Sequence, residues 1–327
     1  MKPLIINHKI YGRFIITEPV LIELIKSPAL QRLKGVGQNG AHDFHYTSPG
    51  PFTRFQHSIG VMLLLRKFNA PLTEQVAGLL HDVSHTAFSH VADFVFNSHT
   101  TQSYQDTKLA QALEIQGINK ILTKHHIKPK EILAQENLPL LEKKLPDLCA
   151  DRLDYTLQEP TLKKLKMTDP KYLLENLTVW HNQFIFKNKK SAKIFAALYL
   201  KMNQVLWCNP LEATIYQVLA DIIKLGLEKK LIQKKDLFTT DQLVLTKLKK
   251  DPILAQKIIK LKTIRAKVVP KSQAELHIYS KTRVVDPYFM KNNKLVRLSM
   301  VDKGYNKQTG AWLKTAKKGF YIKILNS

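Results

Sequence analysis

The sequence predicts a mainly α-helical protein with a short N-terminal β-hairpin and a small C-terminal α+β appendage. Apolar residues recur at spacings of three and four through most of residues 18–227, which is the period of amphipathic helices. Residues 1–17 alternate weakly around Tyr11-Gly12, which is typical of a hairpin. After Leu237, lysines become frequent and β-branched runs replace much of the helical pattern. We therefore expect a helical domain over residues 1–235 and the appendage over residues 236–327.

The N-terminal third is expected to contain a hairpin, a helix and a long loop. The first helix begins near Glu18, with Pro19 in its first turn, where proline is tolerated. Residues 35–51 contain four glycines and two prolines among polar and aromatic residues, and therefore predict a loop. Loops of this length inside compact domains are often functional.

Further helices and strands follow from the periodicity. The predicted helices are His57–Phe68, Thr73–Asp82, Phe88–Phe96, Tyr104–Leu113, Pro129–Glu136, Leu145–Gln158, Pro170–Leu174, Ser191–Leu206 and Leu211–Leu227. Alternation over Val179–Phe186 predicts a strand pair. In the appendage, two short helices are expected at Thr239–Leu248 and Pro252–Lys260. One small antiparallel sheet is expected from Ile264–Val269, Glu275–Val285, Lys294–Leu298 and Phe320–Leu325, with Gly304 in a turn.

Composition narrows the class of protein. The 327 residues are 44% hydrophobic and 24% charged, which excludes a disordered chain. With Cys149 and Cys208 alone, neither a disulfide framework nor an all-cysteine zinc site is possible, as expected for the reducing cytoplasm. Apolar runs such as Ile194–Leu200 are far shorter than the roughly 20 residues of a spanning helix, so we expect no membrane segment.

The charge balance is strongly basic. Lys+Arg number 51 and Asp+Glu 26, which gives a formal net charge of +25. Such a surplus favours an anionic partner, such as nucleic acid, a nucleotide, a phosphorylated metabolite or a membrane surface. A lysine-rich solvated surface explains it equally well.

Histidines and aspartates in the first half carry the chemical signal. They lie in three segments: Arg54–Ser58, His81–His90 and Asp151–Tyr155. Imidazole and carboxylate together suit a borderline divalent metal. His81-Asp82 follows the apolar run Val76–Leu80, and burying such a pair without a partner would cost several kcal/mol. A hydrogen-bonded pair closing a helix is the alternative to a metal site, but a four-ligand set completed by His57 and Asp151 favours the metal.

Spacing suggests supporting residues around these ligands. Asp151, Asp154, Tyr155 and Gln158 fall on one helix face, so Asp154 can orient a ligand histidine. Arg54 lies three residues before His57 and can reach a phosphate oxygen. His85 would share a face with His81 if that helix continues.

The segments RFQHS, LLHDVSHTAFSH and ADRLDY resemble the HD-domain phosphohydrolase superfamily, and most closely its deoxynucleoside triphosphate triphosphohydrolases. The resemblance begins at IYGRFIITEPV and extends to about Glu159. RVVDPYF followed by KLVRLS is similar to the C-terminal appendage of bacterial members. The resemblance implies a helical HD core and metal-dependent hydrolysis of a phosphate ester. It also implies a homo-oligomer, a dimer or larger.

Carried over residue by residue, the resemblance implies one divalent ion (Fe, Mn, Zn, Co, Ni or Mg) and a water that the ion activates. The implied metal ligands are His57, His81, Asp82 and Asp151. His85 would assist proton transfer, His90 would lie near the phosphates, and Arg152 would contact a phosphate. Tyr155 and Glu159 would hold the sugar, with Gln38 at its 3′ hydroxyl; for Tyr155, a packed core tyrosine is the alternative.

Two departures from the family concern the substrate. The His-Glu pair expected after the FSH segment is missing, and the nearest candidates are Tyr104-Gln105-Asp106 or, under a different alignment, Leu109-Ala110. Where the family carries Arg, His and Tyr to hold phosphate and base, the helix Ser191–Leu206 and the residues after it offer Leu198, Met202, Leu206 and Cys208. Asn39 follows Gln38 where an apolar residue is usual. The chemistry is therefore better supported than the substrate.

Two functions from different classes remain open, and a third possibility is that His85 and His90 only cap or pack a helix around a structural metal. The first is a metal-dependent phosphohydrolase acting on a nucleotide, as a dNTP triphosphohydrolase does, or on a related phosphate ester. The alternative is a catalytically weak HD protein that binds nucleotides or nucleic acid in a regulatory role, using basic stretches such as Lys187–Lys193.

Overall fold

The computed structural model describes residues 1–45, 47–48, 50–134, 137–165 and 167–325, without the side chains of 163 and 164. It confirms the mainly helical class with an N-terminal hairpin and a strand-containing C-terminal region. The hairpin pairs β1 (Leu4–His8) with β2 (Gly12–Ile16), and Gly12 turns it with a φ of +96° that favours glycine. None of the helices in these ranges combines the length and apolar character needed to cross a bilayer.

Within the described residues, eleven α-helices follow before the next strand. They are α1 (Pro19–Lys26), α2 (Pro28–Arg32), α3 (Arg54–Lys67), α4 (Leu72–Leu80), α5 (Val91–Val95), α6 (Leu109–Ile115), α7 (Ile118–Lys124), α8 (Pro129–Leu133), α9 (Ala150–Gln158), α10 (Thr161–Leu165) and α11 (Pro170–Glu175). The predicted end of one helix at Glu136 lies outside the described residues. The predicted loop at 35–51 contains a 3₁₀ turn, Gly40–Phe44, and its residues 46 and 49 also lie outside them.

The rest of the chain alternates helices and strands. Its elements are β3 (Leu177–Trp180), β4 (Gln183–Phe186), α12 (Lys189–Met202), α13 (Pro210–Glu228), α14 (Asp241–Leu248), α15 (Pro252–Leu261), β5 (Arg265–Val268), β6 (Leu276–Ile278), β7 (Tyr288–Lys291), β8 (Lys294–Arg297), α16 (Leu298–Val301), α17 (Lys303–Ala316) and β9 (Phe320–Leu325). Gly304 lies inside α17 and not in a turn, because Tyr305, Thr309 and Ala316 give that helix a buried face.

Helix α3 is the central element of the main core. It starts with a capping box in which Thr53 and Gln56 satisfy each other's backbone N–H groups. Val61–Leu65 are fully buried, because α3 packs against α4 on one side and α9 on another. These three helices bring the three polar segments of the sequence together.

The helical pattern does not continue beyond α4. The chain turns after Leu80, and residues 81–90 form successive turns in which Phe88 and Ser89 adopt left-handed φ values of 60° and 50°. The condition under which His85 would share a helix face with His81, a helix that continues, is therefore not met. The turns still bring both imidazoles to the same cavity.

The C-terminal strands form two sheets where one was predicted. Strands β5, β9 and β6 make an antiparallel sheet, whereas β7 and β8 join β3 and β4 through the parallel bridge Phe186–Phe289. Phe289 is buried in the same apolar core as Phe186 and Phe195, which draws β7 away from the other strands. A boundary at residue 235 stays a prediction, since this sheet contains strands from both sides of it.

Replacement of Phe289 tests that shared core. Phe289→Ala is expected to lower the free energy of unfolding by about 3–5 kcal/mol, because it opens a cavity beside Phe186. The measurement is chemical denaturation. Met300→Ala is the control, since Met300 is 76% exposed and should change stability by no more than about 0.5 kcal/mol. Equal stabilities of the two variants would contradict the packing described.

Candidate metal centre

Two histidines and two aspartates from three helical regions converge at one point. The Nε2 atoms of His57 and His81 lie 3.2 Å apart. Asp151 Oδ1 lies 3.0 Å from Nε2 of His57 and 3.6 Å from that of His81. Asp82 places Oδ1 3.5 Å from His81 Nε2 and Oδ2 3.7 Å from His57 Nε2. His57, His81 and Asp151 thus form a group whose ligand atoms could hold one metal ion. Asp82, the fourth predicted ligand, lies beside this group, with its oxygens at 3.5 and 3.7 Å from the two imidazoles.

Hydrogen bonds on the far side of each ring fix which nitrogen faces inward. His57 Nδ1 donates to Asp154 Oδ2 at 2.7 Å, and His81 Nδ1 donates to the Gly78 carbonyl at 2.7 Å. When a ring is neutral, its proton is on Nδ1 and its Nε2 lone pair points toward the other ring. Two lone pairs facing each other at this distance repel unless a cation lies with them. This arrangement is typical of histidines that bind a metal.

Asp154 is itself held from several sides. It is fully buried and accepts from the Tyr11 hydroxyl at 2.6 Å and from Gln158 Nε2 at 2.8 Å. Gly60 gives it room, because a Cβ there would lie 2.2 Å from Asp154 Oδ1. Asp154 therefore contacts His57 and not the cavity, and its predicted role remains a prediction.

The electrostatics of the cluster favour an added positive charge. Burial lowers the pKa of His57, but hydrogen bonds to Asp151 and Asp154 and the charge of Asp82 outweigh it and raise the pKa to about 10. Burial likewise opposes ionisation of Asp82, but Arg54, His81 and His85 hold its pKa well below the usual range. A divalent ion supplies the charge that these carboxylates attract, and two imidazoles with carboxylate oxygens suit a borderline metal.

Arg54 is fixed at the wall beside the ligands. Its Nη1 donates to Asp82 Oδ2 at 2.8 Å, and its Nε donates to Ser89 Oγ at 2.9 Å. Ser89 in turn donates to the Gly37 carbonyl at 2.6 Å. A buried guanidinium held at both ends has its position set before any substrate arrives.

Two more histidines lie next to the ligands. His85 Nε2 lies 3.3 Å from Asp82 Oδ1, and its ring stacks edge-on with His90 at 5.1 Å between centroids. His90 Nδ1 lies 3.0 Å from Asp93 Oδ2, which orients that ring. Burial and the charge of Arg54 lower the pKa of His85 to about 3, so its imidazole is neutral.

A cavity of about 270 Å³ opens onto the cluster. Most of the residues predicted for the site line it: Gln38, Arg54, His81, Asp82, His85, His90, Asp151, Arg152, Tyr155 and Glu159. His57 and Asp154 lie behind its wall. Four residues outside the predicted set line the cavity as well: Trp207, Tyr216, Lys281 and Arg283.

The residues predicted to contact substrate differ in whether their side chains already form hydrogen bonds within the protein. Arg152 is engaged, with Nη2 donating to Glu142 Oε1 at 2.7 Å and Nη1 to Cys149 Sγ at 2.9 Å. Within the described residues Gln38 Oε1 is buried without a hydrogen-bond partner. Burial raises the pKa of Glu159 to about 7, and Tyr155 shares a hydrogen bond with the Tyr199 hydroxyl. Their roles toward a substrate stay predictions.

Trp207 reaches the cavity because α12 ends in a π-helical turn, Asn203–Trp207. Such turns are often found at functional sites. The Trp207 and Tyr155 rings meet at 5.0 Å between centroids, edge to face. Nothing in the periodicity of α12 marks this change of helix type, which is why the sequence did not reveal Trp207.

Replacing Asp154 tests whether its contact with His57 supports a metal. Asp154→Asn keeps the shape but removes the charge, and is expected to weaken Mn²⁺ binding by about 10- to 100-fold. Isothermal titration of the purified protein measures it. Asp93→Asn is the matched control, because Asp93 is also buried against a histidine Nδ1 but contacts none of the four ligands. An unchanged dissociation constant in Asp154→Asn would contradict the assignment.

Comparisons with known proteins agree with this geometry. The family model for the HD domain matches residues 54–158, which include all four predicted ligands. YdhJ of Bacillus subtilis is 36% identical, covering 98% of this chain and 99% of its own. The metal-dependent phosphohydrolase cns2 of Cordyceps militaris is 34% identical over 68% of this chain and 67% of its own. A solved phosphohydrolase from Bacteroides thetaiotaomicron, 18% identical, shares the fold with a TM-score of 0.68 over 98% of this chain and 99% of that one. The chain belongs to the HD-domain family of metal-dependent phosphohydrolases.

Proposed function

We propose that this protein hydrolyses a nucleotide, with His57, His81, Asp82 and Asp151 holding one divalent ion at the reacting phosphate. The observation that carries the proposal is the sharing of one cavity by three of these ligands, Arg54 and two further histidines. A divalent ion bound there would neutralise phosphate charge and lower the pKa of a bound water. Hydrolysis then forms one bond, from water oxygen to phosphorus, and breaks the bond from phosphorus to the leaving oxygen. One water proton finishes on that leaving oxygen or in solvent.

The protein's own residues would position the phosphate and move the proton. Arg54 is held by Asp82 and Ser89, so its guanidinium can bind a phosphate oxygen with little loss of side-chain freedom. His85, 3.3 Å from Asp82, is placed to accept a proton from the attacking water. His90, oriented by Asp93, would hold a phosphate oxygen through its other ring nitrogen.

A nucleotide suits the rest of the cavity. The rings of Tyr155, Trp207 and Tyr216 line it beside the polar groups of Gln38 and Glu159, a mixture that can hold a base and a sugar. The resemblance to dNTP triphosphohydrolases at Gln38, Tyr155 and Glu159 supports a deoxynucleoside triphosphate. The missing His-Glu pair and the altered α12 support another nucleotide or phosphate ester.

A panel assay separates these substrates. Purified protein with Mn²⁺, Fe²⁺, Co²⁺ or Mg²⁺ is incubated with deoxynucleoside triphosphates, ribonucleoside triphosphates and nucleoside monophosphates. Products are resolved by anion-exchange chromatography. Release of inorganic triphosphate supports triphosphohydrolysis, and release of orthophosphate supports attack at a terminal phosphate. The absence of hydrolysis by metal-loaded protein would contradict the proposal and favour a regulatory nucleotide-binding role.

Replacement of His85 tests the proton-transfer role. His85→Ala is expected to lower kcat by about 10²- to 10⁴-fold, because general acid–base help is lost, while the protein retains its metal. The measurements are steady-state kinetics on the best substrate of the panel and metal content by elemental analysis. His126→Asn, at an exposed turn with a φ of 58°, is the control and should match the wild type. Full activity in His85→Ala would refute the assigned role.

A further inference from the structure

Two cations from the C-terminal region reach the cavity of the metal centre. Lys281 and Arg283 lie between β6 and β7, more than 120 residues beyond the last predicted ligand, and both line the cavity that contains His81 and Asp151. This segment lies outside the region that matches the HD domain, because that match ends at residue 158.

The segment that carries them is anchored along its length. Cys208 Sγ donates to the Lys281 carbonyl at 3.5 Å, and the Arg283 guanidinium donates to Gln102 Oε1 at 2.6 Å. Further along, the backbone N–H of Asp286 donates to the Pro146 carbonyl at 2.9 Å, and the Tyr305 hydroxyl donates to the Val285 carbonyl. Contacts with four separate regions therefore hold the two side chains at the cavity.

Among the described residues, neither cation has an ion-pair partner. In the described part of the chain, no carboxylate oxygen lies within 4.0 Å of the charged nitrogens of Lys281 or Arg283. Arg54 and Arg152, by contrast, are paired with Asp82 and Glu142. Asp106, Glu142 and Asp93 do attract Lys281 at longer range, but burial and the charge of Arg283 outweigh them and lower its pKa. Two partly buried cations that repel each other would both be stabilised by an anion between them.

We infer that Lys281 and Arg283 bind a second phosphate of the substrate, while the ligand cluster and Arg54 engage the first. This inference rests on the proposed function and narrows it to phosphate esters with at least two phosphates. It also accounts for a departure noted in the sequence, because α12 lacks the cationic residues that hold phosphate in the family. Here the C-terminal region supplies them.

Binding of small inorganic anions tests the inference without any hydrolysis. Full-length, metal-loaded protein is titrated calorimetrically with pyrophosphate and with orthophosphate. The Lys281→Gln/Arg283→Gln double variant is expected to bind pyrophosphate about 10-fold more weakly or worse, because charge-assisted hydrogen bonds are lost. Its orthophosphate affinity should stay within about threefold of the wild type, since a single phosphate binds at the ligand cluster and does not need the two cations.

The control removes the same charge elsewhere. Lys267→Gln/Lys323→Gln alters two exposed lysines that face each other across β5 and β9, and should leave both affinities unchanged. Circular dichroism melts verify folding, and should the double variant fail to fold, Arg283→Gln alone is titrated with the same expected direction. Equal weakening for both anions, unchanged pyrophosphate binding, or an equal loss in the control would each overturn the inference.

The proposed function and this inference can fail separately. If no ester in the panel is hydrolysed but the double variant loses pyrophosphate binding selectively, the second-phosphate site stands and the catalytic proposal falls. If esters are hydrolysed, and the double variant hydrolyses nucleoside triphosphates and monophosphates at the same rates as the wild type, the catalytic proposal stands and the inference falls.

Discussion

The arrangement on which the site depends is the meeting of two imidazole Nε2 atoms at 3.2 Å. Each ring is forced into this position by a hydrogen bond on its opposite side, His57 to Asp154 and His81 to the Gly78 carbonyl. Such a contact between two lone pairs is unfavourable by itself, and a shared cation turns it into a favourable one. The packing of α3 against α4 and α9 sets this geometry, so the geometry of the site depends on the packing of the helical core.

Negative and positive charges lie at different parts of the cavity around this point. Asp82, Asp151 and Asp154 concentrate negative charge in a largely buried region, with Arg54 as the nearest fixed cation. Lys281 and Arg283 contribute positive charge at another part of the cavity wall. A metal ion at the carboxylates would neutralise their negative charge, and a polyanion that reaches Lys281 and Arg283 would neutralise their positive charge. The formal net charge of +25 is a weaker indicator, since most basic residues lie elsewhere on the surface.

The four candidate metal ligands could be selected from sequence because each lies in a short segment with a recognisable pattern. What could not be predicted depends on contacts between distant residues. Tyr11 reaches Asp154 across 143 positions, and Arg283 reaches Gln102 across 181. Periodicity also failed where helices end, since the turn after Leu80 and the π-helical turn before Trp207 replace regular helix. The second C-terminal sheet was missed because burial of Phe289, which no strand pattern encodes, decides where β7 pairs.

The central claim is that the His57, His81, Asp82 and Asp151 cluster is a metal centre. X-ray absorption spectroscopy on protein loaded with one equivalent of Co²⁺ tests it most directly. The account predicts a first coordination sphere of nitrogen and oxygen at about 2.0–2.2 Å, with the multiple-scattering signal of two imidazoles. That signal should fall to one imidazole in His57→Ala. A spectrum of hydrated Co²⁺ without imidazole, or one that His57→Ala leaves unchanged, would contradict it.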